Sequence, residues 1–434
     1  MLLCVGISIL WGTAIGRGGN AWIDFRAVYA GTRCLMHQHN PYNVDALDRE
    51  YASEGGQRPP NSPAYLQAVT LYVNLPTTFL VVAPFAAFSW GPAHILWMLL
   101  TGSAFILALL LMWRAGASYA PRVATFLACV LAVNCEAIFA AGNTAGLVVG
   151  LCGISVWCFL ENRWVHLGIL SLAVSLAIKP HDIGFIWLYF VLAGGVNRKR
   201  ALQSVLITAV LGLAAAMWVS HVAPNWMRDW SANLATISAP GGINDPAPDS
   251  FSGRSVYMVV DLQAAISVFR DNPRLYNPVS YLLCGVFLLM WFIWTWQNSF
   301  SVRRAWLAFP VAIAFSLLIT YHRPWDAKLV MLAIPACCML WVGRGRVAGI
   351  ALAITTAATL FAGEIPLSAF KTISDALHMS TIGMARQLLT IVLIRPESIA
   401  LLFMGVFYLW VCLKESTVHR QRARPERLEP TAGY

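Results

Sequence analysis

Residues 93–113 read AHILWMLLTGSAFILALLLMW and contain no Asp, Glu, Lys or Arg. A helix of about 20 such residues spans the ~30 Å hydrocarbon core of a bilayer. Similar apolar runs lie along the whole chain, near 1–16, 121–140, 142–160, 201–221, 277–297, 304–320, 326–343, 347–362 and 396–413. This repetition predicts an all-α polytopic membrane protein, with residues 1–434 forming a single integral membrane domain.

The composition agrees with this class. Hydrophobic residues make up 58% of the chain and charged residues 12%, about half the charged fraction of soluble domains. The apolar segments are continuous rather than alternating, which argues against a transmembrane barrel. The net charge of +10 does not indicate nucleic-acid binding, because the basic residues cluster between apolar runs, as on the cytoplasmic side of membrane proteins. The ten cysteines form no CxxC pair and predict neither a metal site nor a disulfide framework.

The basic clusters also set the predicted topology. With all of them in the cytoplasm, residues 166–194 form two helices that turn at Lys179 on the outer side, and the chain has about 12 transmembrane helices. Segment 78–90 then lies along the outer interface, among interfacial helices of the first external loop. The predicted external loops are 17–92, 222–276, 321–325 and 363–395, and the basic tail 414–434 is cytoplasmic.

A second topology makes 78–90 a crossing and 166–194 one kinked helix. It also gives about 12 spans, but it places Arg114, Arg122 and Arg163 outside, so we prefer the first. Both topologies put the polar loops on the same outer face, which is where we expect any active site. These loops carry Asp24, Arg26 and Tyr42; Asp229, Asp245 and Arg254; His322, Arg323 and Asp326; and Glu364 and Lys371.

A series of short motifs carries a family resemblance. In chain order these are DFRAVY at 24–29, NPY at 40–42, YVNLPTTF at 72–79, APF at 83–85, AAGN at 140–143 and AIKP at 177–180. Their order and spacing resemble glycosyltransferase family 87, which contains polyprenyl-phosphate-mannose-dependent α-mannosyltransferases of the GT-C superfamily. The likeness covers about residues 10–410. Asn143 stands where the family usually has Gln, and Leu75-Pro76 where a double proline is common.

The resemblance implies a GT-C-type fold and a reaction class. A hexose, mannose or another, would pass from a polyprenyl-phosphate donor to a lipid or cell-envelope glycan acceptor, with inversion at the anomeric carbon. It also implies a bacterial inner (plasma) membrane, with the active site on the external side. The partners would be the sugar donor, the acceptor and membrane lipids, and no nucleic acid.

The resemblance places the catalytic carboxylate at Asp24, as general base for the acceptor hydroxyl. Read alone, Asp24 could instead cap a short helix that begins at Phe25. Arg26 could bind phosphate, or pair with Asp24 or a lipid headgroup. Tyr42, in the NPY motif, is a candidate substrate-binding residue. Asn143 could hydrogen-bond a sugar or cap the helix that follows it.

Two further polar groups are candidates for binding the lipid phosphate. Lys179 interrupts an apolar stretch, where a charge is costly unless it faces a cavity or a partner; the alternative is snorkelling to the interface. His181 is a candidate substrate-binding residue; the alternative is that His181 and Asp182 pair with each other and hold the turn. Segment 320–328, TYHRPWDAK, offers His322, Arg323 and Asp326 for the donor, with Tyr321 and Trp325 for stacking on a sugar. The alternative is an interfacial turn with its aromatic belt.

Sequence motifs for nucleotide binding and for metal binding are absent. There is no GxGxxG unit, P-loop or HExxH, and the nine His show no metal-ligand spacing. The sequence therefore predicts no cofactor beyond the lipid-linked sugar phosphate as co-substrate, and no motif requires a metal, although some related enzymes use a divalent one. A transporter or flippase of a lipid-linked sugar is the alternative function. We find no internal repeat of the kind common in transporters, and the charge lies at one face rather than at mid-membrane.

Overall fold

The structure is a computed structural model that describes residues 2–15, 23–56, 63–248, 250, 259–363 and 395–422, with scattered positions between 369 and 392. Over these residues the chain forms helices and connections, with no strand. Arg254, Glu364, Lys371 and the tail beyond 422 lie outside the described residues. The all-α class is confirmed.

Seven helices within this part of the chain are long and apolar enough to cross a membrane. They are Trp90–Ala117, Pro121–Ala141, Gly195–Val222, Pro273–Gln297, Val302–Ile319, Pro324–Val342 and Pro396–Glu415. The shorter apolar helices are Thr77–Ala86, Thr144–Leu160, Val165–Ile178, Pro180–Ala193 and Gly345–Phe361. The multi-pass membrane class is therefore supported, and the count of about 12 spans stays a prediction.

Two of the long segments are interrupted helices. The segment Pro121–Ala141 consists of helices Pro121–Val133 and Glu136–Ala141. The segment Pro324–Val342 consists of a short helix, a 3₁₀ turn and a second helix, Pro324–Ala327, Lys328–Leu332 and Ala333–Val342. The other described helices are Leu2–Ile15, Ile23–Met36, Val44–Ser53, Pro63–Thr70, Trp226–Ser238 and Leu262–Ser267, and the last crossing helix continues to Arg422.

The stretch 166–194 forms two helices, as the preferred topology requires. Val165–Ile178 and Pro180–Ala193 meet at Lys179, whose φ of −139° and ψ of 79° are not helical. Pro180 explains the break, because proline disfavours the helical conformation at the residue before it. Pro180 is itself well placed at the first helical position, where its missing N–H is not needed. The break therefore lies where the sequence predicted it.

Segment 78–90 contains a helix that is too short to cross alone. Thr77–Ala86 has ten residues and is about 15 Å long, half the thickness of a bilayer core. It packs against Ile23–Met36, which follows the first apolar segment. Its position at the outer interface stays a prediction.

Close helix packing brings the connections that carry the site together. Trp90–Ala117 packs against Thr144–Leu160, which also packs against Val165–Ile178. Gly150 makes the first contact possible, because a Cβ there would lie 2.6 Å from the carbonyl carbon of Ala104. Small residues allow such close approach between membrane helices. Val302–Ile319 packs in turn against Pro180–Ala193, so the connections at 142–143, 179 and 320–323 converge.

Candidate active site

Asp24 lies in the first turn of the helix Ile23–Met36 and is partly buried. The helix begins at Ile23, so Asp24 is inside it rather than capping a helix that starts at Phe25. A carboxylate in the first turn interacts favourably with the helix dipole. Asn143 donates a hydrogen bond from Nδ2 to Asp24 Oδ2 over 2.8 Å. The carboxylate is thus fixed by a residue from a different helix.

Asn143 has two roles in this structure. It is the N-cap of the helix Thr144–Leu160, and its Oδ1 accepts a hydrogen bond of 2.8 Å from the backbone N–H of Ala145. Its Nδ2 remains for Asp24. Gly142 precedes it in the left-handed conformation, with φ of 63°, which glycine adopts without strain. The cap therefore aims the amide at the carboxylate.

Aromatic packing supports both sides of this contact. Trp97 donates from Nε1 to the carbonyl oxygen of Gly142 over 2.8 Å. The same indole stacks on Phe25, with ring centroids 5.0 Å apart and planes 9° from parallel. Phe25 is the neighbour of Asp24, so one buried tryptophan holds the Asp24 helix and the Asn143 turn together.

The positive charges of Arg323 and Lys179 affect the pKa of Asp24. Burial raises the pKa of Asp24 above its ordinary value, against the lowering effects of the Asn143 hydrogen bond and of the positive charges of Arg323 and Lys179. These cations come from the other two connections that converge here. A carboxylate with a raised pKa next to positive charge can accept a proton while an anion binds close by.

Lys179 is held by two carboxylates. Its Nζ lies 2.6 Å from Asp326 Oδ1 and 4.0 Å from Asp182 Oδ2. Burial alone would lower the pKa of Lys179, but the charges of Asp326 and Asp182 outweigh it and raise that pKa. The ammonium therefore stays charged, and its position is set by Asp326 rather than by snorkelling to a headgroup.

His322 is fully buried beside Asp182. Its Nε2 lies 3.4 Å from Asp182 Oδ1, and His181 Nε2 lies 3.1 Å from the same oxygen. The rings of His181 and His322 have centroids 5.3 Å apart. The predicted pairing of His181 with Asp182 is present, and His322 joins it from a distant part of the sequence.

Arg323 connects the site to the second of the predicted external loops. Its Nη2 donates to the carbonyl oxygen of Ile243 over 2.8 Å. Its guanidinium carbon lies 5.3 Å from the Tyr321 ring centroid and 5.8 Å from that of Trp325. The backbone N–H of Arg323 donates to Asp326 Oδ2 over 2.8 Å, so Asp326 positions both Arg323 and Lys179.

Two predicted site residues lie outside this contact network. The guanidinium carbon of Arg26 lies 4.1 Å from the ring centroid of Trp90, a cation–π geometry. Tyr42 is buried in an aromatic cluster and donates from its hydroxyl to the carbonyl oxygen of Asn74 over 3.0 Å. That cluster consists of Tyr42, Tyr72, Phe79 and Trp226. A direct role for either residue with substrate stays a prediction.

The other predicted site residues converge through the contacts above: Asp24, Asn143, Lys179, His181, His322, Arg323 and Asp326. Asp182 was predicted only as a partner of His181, yet it is buried at the centre of the group. Its position in an apolar segment was the signal that could have marked it. The role of Trp97 had no signal in the sequence.

Two residues predicted to share the outer face have structural contacts. Asp229 Oδ2 accepts a hydrogen bond of 2.8 Å from Asn40 Nδ2, which joins the first and second of the predicted external loops. Asp245 is buried and accepts from the backbone N–H groups of Gly241 and Ala247 over 2.7 and 3.0 Å. Each contact orders the loop in which it lies.

The fold and the site define a multi-pass helical membrane protein with a carboxylate and two cations gathered at one set of helix ends. The model of glycosyltransferase family 87 matches residues 72–320, more than half of the chain, and the chain belongs to this family. The resemblance read from the motifs is thereby confirmed, and the protein is a glycosyltransferase by family. Asp24 and segment 321–328 lie outside the matched range. Searches of curated proteins and of solved structures find no match.

Proposed function

We propose that the chain transfers a hexose, mannose in the first instance, from a polyprenyl-phosphate donor to a lipid or cell-envelope glycan acceptor at the outer face of the bacterial inner membrane. Asp24 acts as the general base. The observation that carries this proposal is the Asp24 carboxylate, fixed by Asn143 at 2.8 Å and acted on by the charges of Arg323 and Lys179. Base and anion-binding groups are the two requirements of transfer from a sugar phosphate.

In the proposed step the acceptor oxygen attacks the anomeric carbon and loses its proton to Asp24. The bond between that carbon and the phosphate oxygen breaks, and its electron pair leaves with the lipid phosphate. One displacement with one base inverts the anomeric configuration. Protonated Asp24 then returns its proton to water.

The leaving phosphate needs positive charge where its own negative charge develops. Lys179 supplies an ammonium with three donors, one of which is directed at Asp326. Arg323 supplies a guanidinium that is oriented by the carbonyl of Ile243, and Asp326 accepts from the backbone N–H of the same residue. Both cations are held before substrate binds, so little reorganisation is needed during transfer.

The test is sugar transfer by purified protein in proteoliposomes, with labelled polyprenyl-phosphate hexoses and a lipid extract as acceptor. Asp24→Asn keeps the shape and removes the base, and should lower turnover by about a hundredfold or more. Asp45→Asn is the matched control, because Asp45 is exposed on the helix Val44–Ser53 of the same external loop. Wild-type turnover by Asp24→Asn would reject Asp24 as the base.

A further inference from the structure

Three ligating side chains lie beside Lys179, and the proposed transfer step does not use them. His181, Asp182 and His322 each offer one ligand atom, and these atoms all lie within 4.8 Å of one another. We propose that the three side chains bind a divalent first-row transition-metal ion of the Zn²⁺ class. Two imidazoles and one carboxylate form a common ligand set for such ions.

The ligand spacing fits a tetrahedral ion. With metal–ligand distances of about 2.0–2.1 Å, ligand atoms at a tetrahedral centre are roughly 3.3–3.4 Å apart. Asp182 Oδ1 lies 3.1 Å from His181 Nε2 and 3.4 Å from His322 Nε2. All three ligand atoms lie within 4.8 Å of one another, so the two imidazoles would complete this spacing by moving toward the ion.

The orientation of His322 matches that of a metal ligand. Its Nδ1 lies 2.9 Å from the carbonyl oxygen of Thr320 and 3.2 Å from that of Leu317. Carbonyl oxygens only accept, so Nδ1 carries the proton and donates. Metal-binding histidines are usually fixed in this way through their second nitrogen. The other nitrogen, Nε2, is thereby directed at Asp182.

The buried ligand atoms contact one another without hydrogen-bond geometry. The side chains of Asp182 and His322 are both 0% exposed, and Asp182 Oδ1 lies 3.1 and 3.4 Å from the two imidazole nitrogens. Buried polar groups are usually hydrogen-bonded. A cation between the three side chains would satisfy the atoms that face it.

The Lys179 ammonium does not occupy this position. It is held at 2.6 Å by Asp326 and lies 4.0 Å from Asp182 Oδ2, whereas both imidazoles face Oδ1. The carboxylate thus presents one oxygen to the ammonium and the other to the proposed ion. The His181 side chain is 50% exposed, which gives the ion a route of access and an open coordination position.

The role that we assign to the open coordination position of the ion rests on the proposed function. An ion beside Lys179 would face the same region as the two cations assigned to the leaving phosphate, and a phosphate oxygen of the donor is the group it would coordinate. The ion would add charge where the leaving group develops it. Metal binding itself is independent of this role and can be measured without donor.

The experiment uses the full-length protein, purified in detergent and stripped with a chelator. Zn²⁺ uptake is measured by elemental analysis, and Co²⁺ uptake by its visible absorption. Wild type should bind one ion per chain, and His181→Ala should weaken binding at least about tenfold, because removing even an outer-shell partner of a metal ligand typically costs about that much. His166→Ala is the control, because His166 is exposed at the opposite end of the helix Val165–Ile178 and should bind as wild type does.

His181→Ala is the main variant because its side chain is half exposed, which limits its effect on folding; His322→Ala and Asp182→Asn follow if they are folded. The inference is overturned if the stripped wild type takes up no stoichiometric ion, or if His181→Ala binds as tightly as wild type. Ion uptake lost in His181→Ala, without hexose transfer by any variant, supports the metal site and rejects the proposed function. Hexose transfer by a protein that binds no ion supports the proposed function and rejects the metal site.

Discussion

Asn143 and Asp24 are 119 positions apart in the sequence, and the Asn143 amide donates to the Asp24 carboxylate over 2.8 Å. The same Asn143 side chain caps the helix Thr144–Leu160 through Ala145. A single residue thus orders a helix and orients the proposed base. The geometry and the pKa of Asp24 both depend on it.

The two roles of Asn143 can be separated by substitution. The Asn143 hydrogen bond lowers the pKa of Asp24, so removing it should move the acidic limb of the pH–rate profile to higher pH. Asn143→Ser keeps a capping side chain but is too short to reach Asp24, and should show this shift with little loss of thermal stability. Asn143→Ala should show the same shift and also lose about 1 kcal/mol of stability with its cap. An acidic limb at the wild-type pH in both variants would contradict the assignment of Asp24 as the base whose pKa Asn143 lowers.

Wild-type transfer should increase as the pH rises through the pKa of Asp24, because only the ionised carboxylate accepts a proton. Burial raises that pKa above the ordinary 3.8, so we expect the acidic limb above the range of an exposed aspartate. Initial rates of transfer between pH 4 and 8, in vesicles checked for integrity at each pH, would measure it. A rate that is constant across this range would argue against Asp24.

The folded protein should tolerate Asp24→Asn. An acid whose pKa is higher in the folded than in the unfolded state is penalised in its ionised form, and the penalty develops as the pH rises above the unfolded value of 3.8. At neutral pH the neutral Asn removes this penalty and keeps an acceptor for Asn143. The thermal midpoint should therefore equal or exceed that of wild type while turnover is lost. A large decrease in the midpoint would mean that lost activity reflects unfolding.

Substitutions at Lys179 and Asp326 should compensate for each other in stability but not in sugar transfer. Lys179→Met leaves Asp326 buried without its cation, and breaking a buried pair costs about 3–5 kcal/mol. Adding Asp326→Asn removes the unpaired charge and keeps the acceptor for the Arg323 backbone N–H, so the double variant should regain much of the stability. It should stay inactive if Lys179 binds the leaving phosphate. Thermal unfolding and transfer assays on all three variants would complete the cycle, and recovery of transfer in the double variant would contradict that role.

Arg26 offers a test of donor binding. Its guanidinium stacks on Trp90, a contact of about 0.5–1 kcal/mol at exposed positions. If Arg26 also binds the donor phosphate in the ground and transition states alike, Arg26→Gln should raise the donor KM and leave kcat unchanged. Trp90→Leu removes the stacking and keeps the charge, and should have the smaller effect on KM. Equal donor KM values for wild type and Arg26→Gln would limit Arg26 to packing.

Local sequence patterns were sufficient for the membrane class and for the turn at Lys179. Apolar run length reports directly on the ability to span a bilayer, and the Lys179-Pro180 pair reports directly on local backbone conformation. The number of spans could not be settled in the same way. Helices of 14 residues such as Val165–Ile178 are too short to cross a bilayer by length alone, and their depth depends on neighbouring helices.

The sequence alone also provided most of the chemically active residues, because ionisable groups are costly in an apolar chain and therefore stand out. Which of them act together was decided by the tertiary structure. Asp182 and His322 are 140 positions apart, and no local pattern connects them. Their contact depends on Val302–Ile319 packing against Pro180–Ala193. Helix packing fixes the distances between side chains from distant parts of the sequence, and these distances decide whether charged groups pair, bind an ion or accept a proton.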